Sequence, residues 1–309
     1  MLLQDSERCD AGSLGPVPDR SFDGPGSVDG LRTLWSFEPS RTGLRLRLHR
    51  LVRGPVYARP RPPHLELRPV EPKPRWVVYF IYLPDGRLQA SHRFTLARLH
   101  HRQGLALCVV CATPKPEGIP PDLHEQADAL YWKGLSGYDF SAYTLALEVL
   151  ARRSPGADVL VMNDSVFGPF RDLEGFMDAA PWDLTGFTAS ALCENHLQSY
   201  AFVLRRVTPD RLEQLRPVFP QHKAYDRMGE VVLCQELQLA RVAARHMSVG
   251  AWWYNDARCF DDPCLHRPFE LLDAGFPFLK KSLLGKMGDC QDRRCVIEYL
   301  RRQGHPVEA

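Results

Sequence analysis

The segment Ala157-Asp158-Val159-Leu160-Val161-Met162-Asn163-Asp164-Ser165-Val166-Phe167-Gly168-Pro169-Phe170 is apolar from Val159 to Met162, stops on three small polar residues, and then turns at Gly168-Pro169. Unbroken apolarity of that length predicts a strand covered on both faces, as in a parallel sheet, and Gly-Pro prevents its extension. Ligands of open α/β sheets sit beyond the carboxyl ends of the strands, so Asn163, Asp164 and Ser165 are placed to meet a substrate or a metal. Asn, Asp and Ser also bond nearby backbone readily, so a plain strand cap followed by a turn is the competing reading of the same residues.

The flanking chain repeats the pattern. Residues 76–83 read as a strand closed by Pro84-Asp85-Gly86, Ser91 as the cap of a helix reaching about Arg102 and ending at Gly104, and residues 105–112 as the next strand. That spacing predicts a parallel unit with a right-handed crossover. A short strand at 129–132 precedes a helix from Ser141, with Ala142, Leu145 and Val149 on one face, that ends before Pro155-Gly156. Downstream, Asp172 caps a short helix, residues 182–190 are extended, and residues 196–204 form a strand with His196, Gln198 and Tyr200 on one face. Thr208-Pro209 opens another helix, and a longer one from about Met228 to His246 carries Leu233, Leu237, Ala240 and Ala244 at helical spacing. The expected fold class is therefore α/β, with a mostly parallel Rossmann-like sheet and a helical C-terminal part.

The first 74 residues differ in texture. They are rich in Pro, Gly, Arg and Ser, so the first thirty or so are expected to be disordered, residues 44–52 to form a strand or a basic surface segment, and residues 59–74 to act as a linker. Little contribution to the core is expected before residue 70. A net charge of +2 on 309 residues gives no electrostatic case for nucleic acid and allows at most peripheral contact with an acidic membrane. No apolar run approaches bilayer length, and Asp5, Glu7 and Arg8 stand where a signal peptide would be apolar, so a cytoplasmic location, at most at the inner face of the membrane, is expected. The nine cysteines lack the density of a disulfide scaffold, and Cys108 and Cys111 should point to opposite faces of a strand. Cys259, Cys264, His266, Cys290 and Cys295 depart from the tight spacing of a zinc knuckle, and reduced, metal-free thiols are expected.

Five motifs occur in one order: residues 137–140 (Gly-Tyr-Asp-Phe), 163–169 (Asn-Asp-Ser-Val-Phe-Gly-Pro), 182–188, 196–200 and 275–280. Over about residues 75–285 this series resembles the rhamnan synthesis protein F family of bacterial surface-polysaccharide assembly, thought to comprise glycosyltransferases or close relatives. The resemblance implies a glycosyltransferase-like domain over 75–309, with a nucleotide-sugar half at 75–206 and an acceptor half at 207–309. It also implies a nucleoside diphosphate sugar donor and a glycan or lipid-linked glycan acceptor, with rhamnose or another deoxyhexose as the sugar.

The order is also similar to that of inverting glycosyltransferases of the A-type fold, in which an Asp-x-Asp motif holds a divalent metal on the donor diphosphate. By that likeness Asp164 is the metal residue, with Mg or Mn as the ion. Asn163-Asp164-Ser165 supplies only one carboxylate, so neutral oxygens, or the charge of Lys280, Lys281 or an arginine, are the alternatives to a metal. Gly137, Tyr138, Asp139, Asn163, Ser165, Gln198, Ser199 and Lys280 are the candidate substrate contacts. Asp183, His196 and Glu236 are candidates for the base that takes the acceptor's proton. Each has a plain counterpart: a turn or cap for Asp183, a hydrogen-bonded core histidine for His196, and a solvated helix charge for Glu236. The alternative function is a non-catalytic glycan-binding or scaffolding member of an assembly complex, which the single carboxylate favours. A nucleotide-dependent hydrolase is weaker still, because no Gly-x-Gly-x-x-Gly, Walker loop or nucleophile elbow is present.

Overall fold

A computed structural model of the chain describes residues 22–100, 104–257 and 261–307. It begins with β1 (Arg32–Ser36), α1 (Leu44–Tyr57), β2 (Ala58–Pro60), β3 (His64–Arg68) and β4 (Arg75–Tyr82). Next come α2 (Ala90–His100), β5 (Ala106–Ala112), α3 (Asp122–Gln126), β6 (Ala129–Lys133), α4 (Tyr138–Arg153) and β7 (Ala157–Asn163). The middle of the chain adds β8 (Val166–Phe167), α5 (Leu173–Ala179), β9 (Leu184–Ser190), β10 (His196–Leu197), β11 (Ala201–Val207) and α6 (Pro209–Gln214). The remainder holds β12 (Lys223–Tyr225), α7 (Met228–Val231), α8 (Leu237–Ala243), β13 (Val249–Asn255), α9 (Pro263–His266), α10 (Pro268–Asp273), β14 (Leu279–Lys280) and α11 (Arg293–Arg302).

One large sheet runs in the order β1-β13-β9-β11-β7-β4-β5-β6-β3, with β10 on β9. The four strands β7, β4, β5 and β6 are parallel, β13 is parallel to β9, and β11 lies antiparallel between β7 and β9. This is the mostly parallel Rossmann-like α/β fold that the strand pattern predicts. Side chains of α4, α6 and α8 fill one face of the sheet, and those of α2, α3, α5 and α10 fill the other. Strands buried on both faces have no polar side to present, which is why β5 is apolar throughout and β4 and β7 are apolar between their ends. Cys108 and Cys111 accordingly belong to opposite faces, and burial pushes both thiols up to about 12. The helix expected from Ser141 starts earlier, at Tyr138, and that expected from Ser91 starts at Ala90, with Gln89 O accepting from His92 and Arg93 N–H.

The expectation that residues before 70 add little to the core is corrected for residues 22–70. Trp35 is 2% exposed and stacks on Tyr254 at 3.9 Å, and Phe22 stacks on Phe176 at 3.7 Å. The expected linker supplies β3, which pairs antiparallel with β6 and closes that edge of the sheet, while β1 closes the other on β13. Arg61 reaches Glu148 on α4 at 2.6 Å, and Arg216 meets the same carboxylate at 2.7 Å. Few apolar residues suffice here because edge strands gain their place through backbone hydrogen bonds, which composition does not register. Residues 44–52 lie in α1 rather than in a strand; their alternating pattern fits a helix whose outer side is solvated. The part of the expected disorder that covers residues 1–21 falls outside the described residues, as do Cys9 and Cys259.

Candidate functional site

Strand order sets the place of the site. From β4 the chain proceeds to β5 and β6 on one side and then crosses to β7 on the other, so a crevice opens beyond the carboxyl ends of β4 and β7. Asp164, the first residue after β7, bridges that switch point: its Oδ2 accepts the Tyr82 N–H at 2.8 Å. His92 on α2 approaches the same oxygen at 3.3 Å. Because Gln89 N–H donates to His92 Nδ1 at 3.1 Å, the ring proton resides on Nε2 and points at Asp164. Burial keeps His92 below the ordinary imidazole range, although Asp164 works against it. Lys281 completes this group; burial lowers its ammonium to about 8, and the Asp164 charge partly restores it.

The second group lies where α4 begins. Gly137 has φ +86°, and a Cβ there would stand 2.6 Å from Ser141 Oγ, so only glycine lets the chain enter α4 this tightly. Its N–H donates to Asp226 Oδ1. Asp139, in the first turn of α4, accepts from Asn163 Nδ2 and from Phe140 N–H, both at 2.9 Å. Asn163 Oδ1 in turn accepts from Ser165 N–H at 3.0 Å and from its hydroxyl at 2.6 Å. Burial raises the Asp139 carboxyl to about 6, with the nearby Glu236 charge adding to the effect. Lys133, at the end of β6, is buried and lowered to about 8, while Asp139 and Asp226 pull it back up. Its Nζ donates to Ser136 O at 2.7 Å.

Glu236 reaches this group through two departures from regular structure. The strand expected over residues 196–204 is broken at Ser199 and Tyr200 into β10 and β11, which frees the Ser199 N–H from any ladder. Glu236 Oε2 accepts that N–H at 3.0 Å and also the Ser199 hydroxyl. The helix that carries it contains a π-helical turn, Val232–Glu236, of the kind that recurs at functional sites. Leu233, Leu237 and Ala240 are buried as expected, whereas α8 ends at Ala243 and Ala244, its C-cap, is exposed.

Other candidates lie elsewhere. Asp183 precedes β9 at the opposite end of the sheet, about five strand residues or ~16 Å from the level of Asn163. It binds Arg206, Arg211 and Ser248, and despite the opposing effect of burial these partners hold its carboxyl well below the usual range. The structure therefore does not bring Asp183 together with Asp139, Asn163, Asp164 and Glu236. His196 is at the carboxyl edge but buried, its Nδ1 donating to Glu194 O at 2.8 Å. Gln198 bridges Thr188 and Asp262, the latter at 3.0 Å, and Lys280 lies 3.6 Å over the Tyr200 ring in the same neighbourhood. Tyr138 is 44% exposed, with φ +47°.

His92 and Lys133 join these groups without a sequence expectation, whereas Lys281 was expected as an alternative to a metal. The switch-point rule applied to the turn after β4 would have pointed to His92, whereas a lysine ending the apolar strand β6 was a signal left unread. Among the described residues no three His, Cys, Asp or Glu side chains gather to hold a metal. Asp164 already spends one oxygen on Tyr82 and His92 and lies in the field of the Lys281 ammonium. Mg usually keeps several waters and is held by one or two carboxylates together with substrate phosphates, so Asp164 would be the single protein carboxylate toward the expected Mg or Mn, with water and a donor diphosphate filling the other positions.

No family model matches the chain, and neither does any curated protein. It is similar to the S. aureus TarS 1-349 structure in complex with UDP-GlcNAc, with 13% identity, coverage of 60% of each chain and a TM-score of 0.36. The chain thus spans about three fifths of that TarS fragment. It is also similar to 4-diphosphocytidyl-2C-methyl-D-erythritol synthase from Anaerococcus prevotii, at 10% identity over 65% of this chain and 94% of that one, with a TM-score of 0.36. A third likeness is to a putative nucleotide-diphospho-sugar transferase from Desulfovibrio desulfuricans, at 12% identity over 76% and 100%, with a TM-score of 0.34. Likeness at this level leaves function to rest on the residues themselves.

Proposed function

We propose that the chain is a glycosyltransferase that moves a sugar, of the rhamnose or other deoxyhexose class, from a nucleoside diphosphate sugar to a growing cell-surface polysaccharide. The observation that carries this reading is the Asp164 carboxylate set across the β4/β7 switch point with Lys281 beside it. A donor diphosphate in that crevice would meet the ammonium groups of Lys281 and Lys280, which offset the charge that grows as the bond to the anomeric carbon breaks. Gly137, Tyr138 and Asp139 line the nucleotide side, where the exposed Tyr138 ring offers a stacking surface. Asn163, Ser165, Gln198 and Ser199 supply hydrogen bonds to the sugars.

As the acceptor hydroxyl attacks the anomeric carbon, its proton passes to Glu236. Ser199 holds Oε2 of that carboxylate and leaves Oε1 for the acceptor. His196 serves by orienting the loop that carries Gln198 and Ser199. The membership of the rhamnan synthesis protein F family, the division into halves at 75–206 and 207–309, and a cytoplasmic place of work belong to the same proposal.

The second reading, a non-catalytic glycan-binding or scaffolding protein, is favoured by the single carboxylate in Asn163-Asp164-Ser165. A screen of nucleoside diphosphate sugars by thermal shift, followed by transfer assays with the donors that bind, separates the two. Donor binding with turnover supports the enzyme, glycan binding without donor binding supports the scaffold, and binding of neither class sinks both.

A further inference from the structure

Helix α1 presents the wrong face to water. Its 14 residues include Leu44, Leu48, Leu51, Val52 and Val56, and all five are exposed, Leu44 and Leu51 to 73%. At 100° per residue, Leu51, Leu44, Leu48 and Val52 form a stripe about 100° wide along a helix about 21 Å long. Exposed leucines are ordinary singly but not as a continuous stripe. Rotation cannot hide them, because the opposite side is bolted down: Arg50 pairs with the buried Glu194 and donates through Nε to Leu233 O at 2.8 Å, and Arg53 pairs with the buried Glu230 at 2.5 Å.

Charge identifies the occupant. From Pro39 to Leu65 the chain has seven arginines and no Asp or Glu. On the helical wheel Arg47 borders the stripe on one side and Arg45 and His49 on the other, and all three are exposed. A second copy of the chain fits poorly, since an isologous pairing would set these arginines against their own copies. A protein groove usually engages an aromatic anchor, and the stripe has none. A bilayer surface is apolar beneath and anionic around, which matches an aliphatic stripe bracketed by arginine.

We infer that α1 is an interfacial helix that docks the protein on an anionic lipid surface, its Leu44–Leu48–Leu51–Val52 stripe entering the acyl boundary and Arg45 and Arg47 meeting the headgroups. The inference stands on the helix alone, independent of the transfer reading. If that reading also holds, α1 sits against the π-helical turn that carries Glu236 and would bring a lipid-linked acceptor to the same side of the sheet.

The test is flotation of the full chain with vesicles of phosphatidylcholine containing about a third phosphatidylglycerol, against vesicles of phosphatidylcholine alone. Binding to the anionic vesicles should fall as salt rises and should drop at least about tenfold in Leu48→Glu/Leu51→Glu. Arg45→Gln should weaken it about fivefold, and both variants should melt as the parent does because the replaced side chains touch solvent. Absence of the wild-type protein from floated anionic vesicles overturns the inference, as does equal flotation of the double variant. A dimer in vesicle-free solution that Leu51→Glu dissolves would assign the stripe to a second copy and also overturn it.

Discussion

Asn163 donates its Nδ2 proton to Asp139 Oδ2 at 2.9 Å, and this bond ties the end of β7 to the first turn of α4. It couples the two sequence motifs that flank the crevice, and it holds a carboxylate whose proton is retained to about pH 6. Such a group, near Glu236 and next to a strand end, is the kind that functional sites concentrate.

The first prediction concerns that proton. Burial, and then Glu236, raise Asp139 from 3.8 to about 6, so between those pH values the folded chain binds a proton that the unfolded chain has lost. Stability from this group is therefore fully present below about pH 4 and declines as pH rises to about 6. Carboxyl NMR titration should place Asp139 near 6 in the wild type, and lower in Glu236→Gln, where a negative neighbour is gone. An unchanged titration in that variant would separate the two carboxylates.

A second prediction follows from Lys281, lowered to about 8 by burial. Its charge is present at pH 7 and lost above 8, so the affinity for a nucleoside diphosphate should fall through that range. Lys281→Gln should bind more weakly at pH 7 and lose most of the pH dependence. Stability runs the other way, because between 8 and 10.5 only the unfolded chain keeps the lysine proton, and rising pH favours the fold. Calorimetric titration at pH 7 and 9, with and without manganese, measures the binding. Affinity that depends on manganese would assign the neutralisation of the diphosphate to a cation rather than to Lys281 alone.

What the sequence made legible was periodic or terminal. The apolar runs of β4, β5 and β7 announce a two-sided sheet, and Asp172 and Thr208 cap their helices as residue type predicts, each accepting a backbone N–H. Asn163, Asp164 and Asp139 were found because they end a strand or begin a helix. Glu236 was placed on a helix, but its approach to Ser199 depends on a π turn and a broken strand, neither of which has a residue signature. Asp183 was legible as a residue at a strand entrance, but its partners Arg206, Arg211 and Ser248 come from distant parts of the chain. The N-terminal strands were missed because edge pairing is a matter of backbone, and because Arg61 meets Glu148 across 87 residues of chain.

The third prediction tests the part played by the N-terminal strand. Trp35→Ala removes a ring buried against Tyr254 on the core side of β1 and should cost about 3–5 kcal/mol, as for other large aromatic deletions. Denaturant unfolding checks this. A loss under about 1 kcal/mol would mean that residues 32–36 dock only loosely on β13.

The last prediction concerns Asp164. Asp164→Asn keeps an oxygen for the Tyr82 N–H but removes the charge that His92 and Lys281 face. If the residue is only a strand-end cap, the variant should lose about 1 kcal/mol, the worth of a weakened hydrogen bond, and keep its activity. If it orients the lysine and the donor at the switch point, transfer should fall about a hundredfold or more while the melting temperature moves by only a few degrees. A second variant, His92→Gln, separates charge from position: it keeps the Asp164 side chain but removes the ring that points Nε2 at it, and should cost less than Asp164→Asn. Transfer rates and melting curves for the three proteins decide the matter. A folded Asp164→Asn protein with wild-type activity would take Asp164 out of the mechanism and with it the observation on which the transferase reading rests.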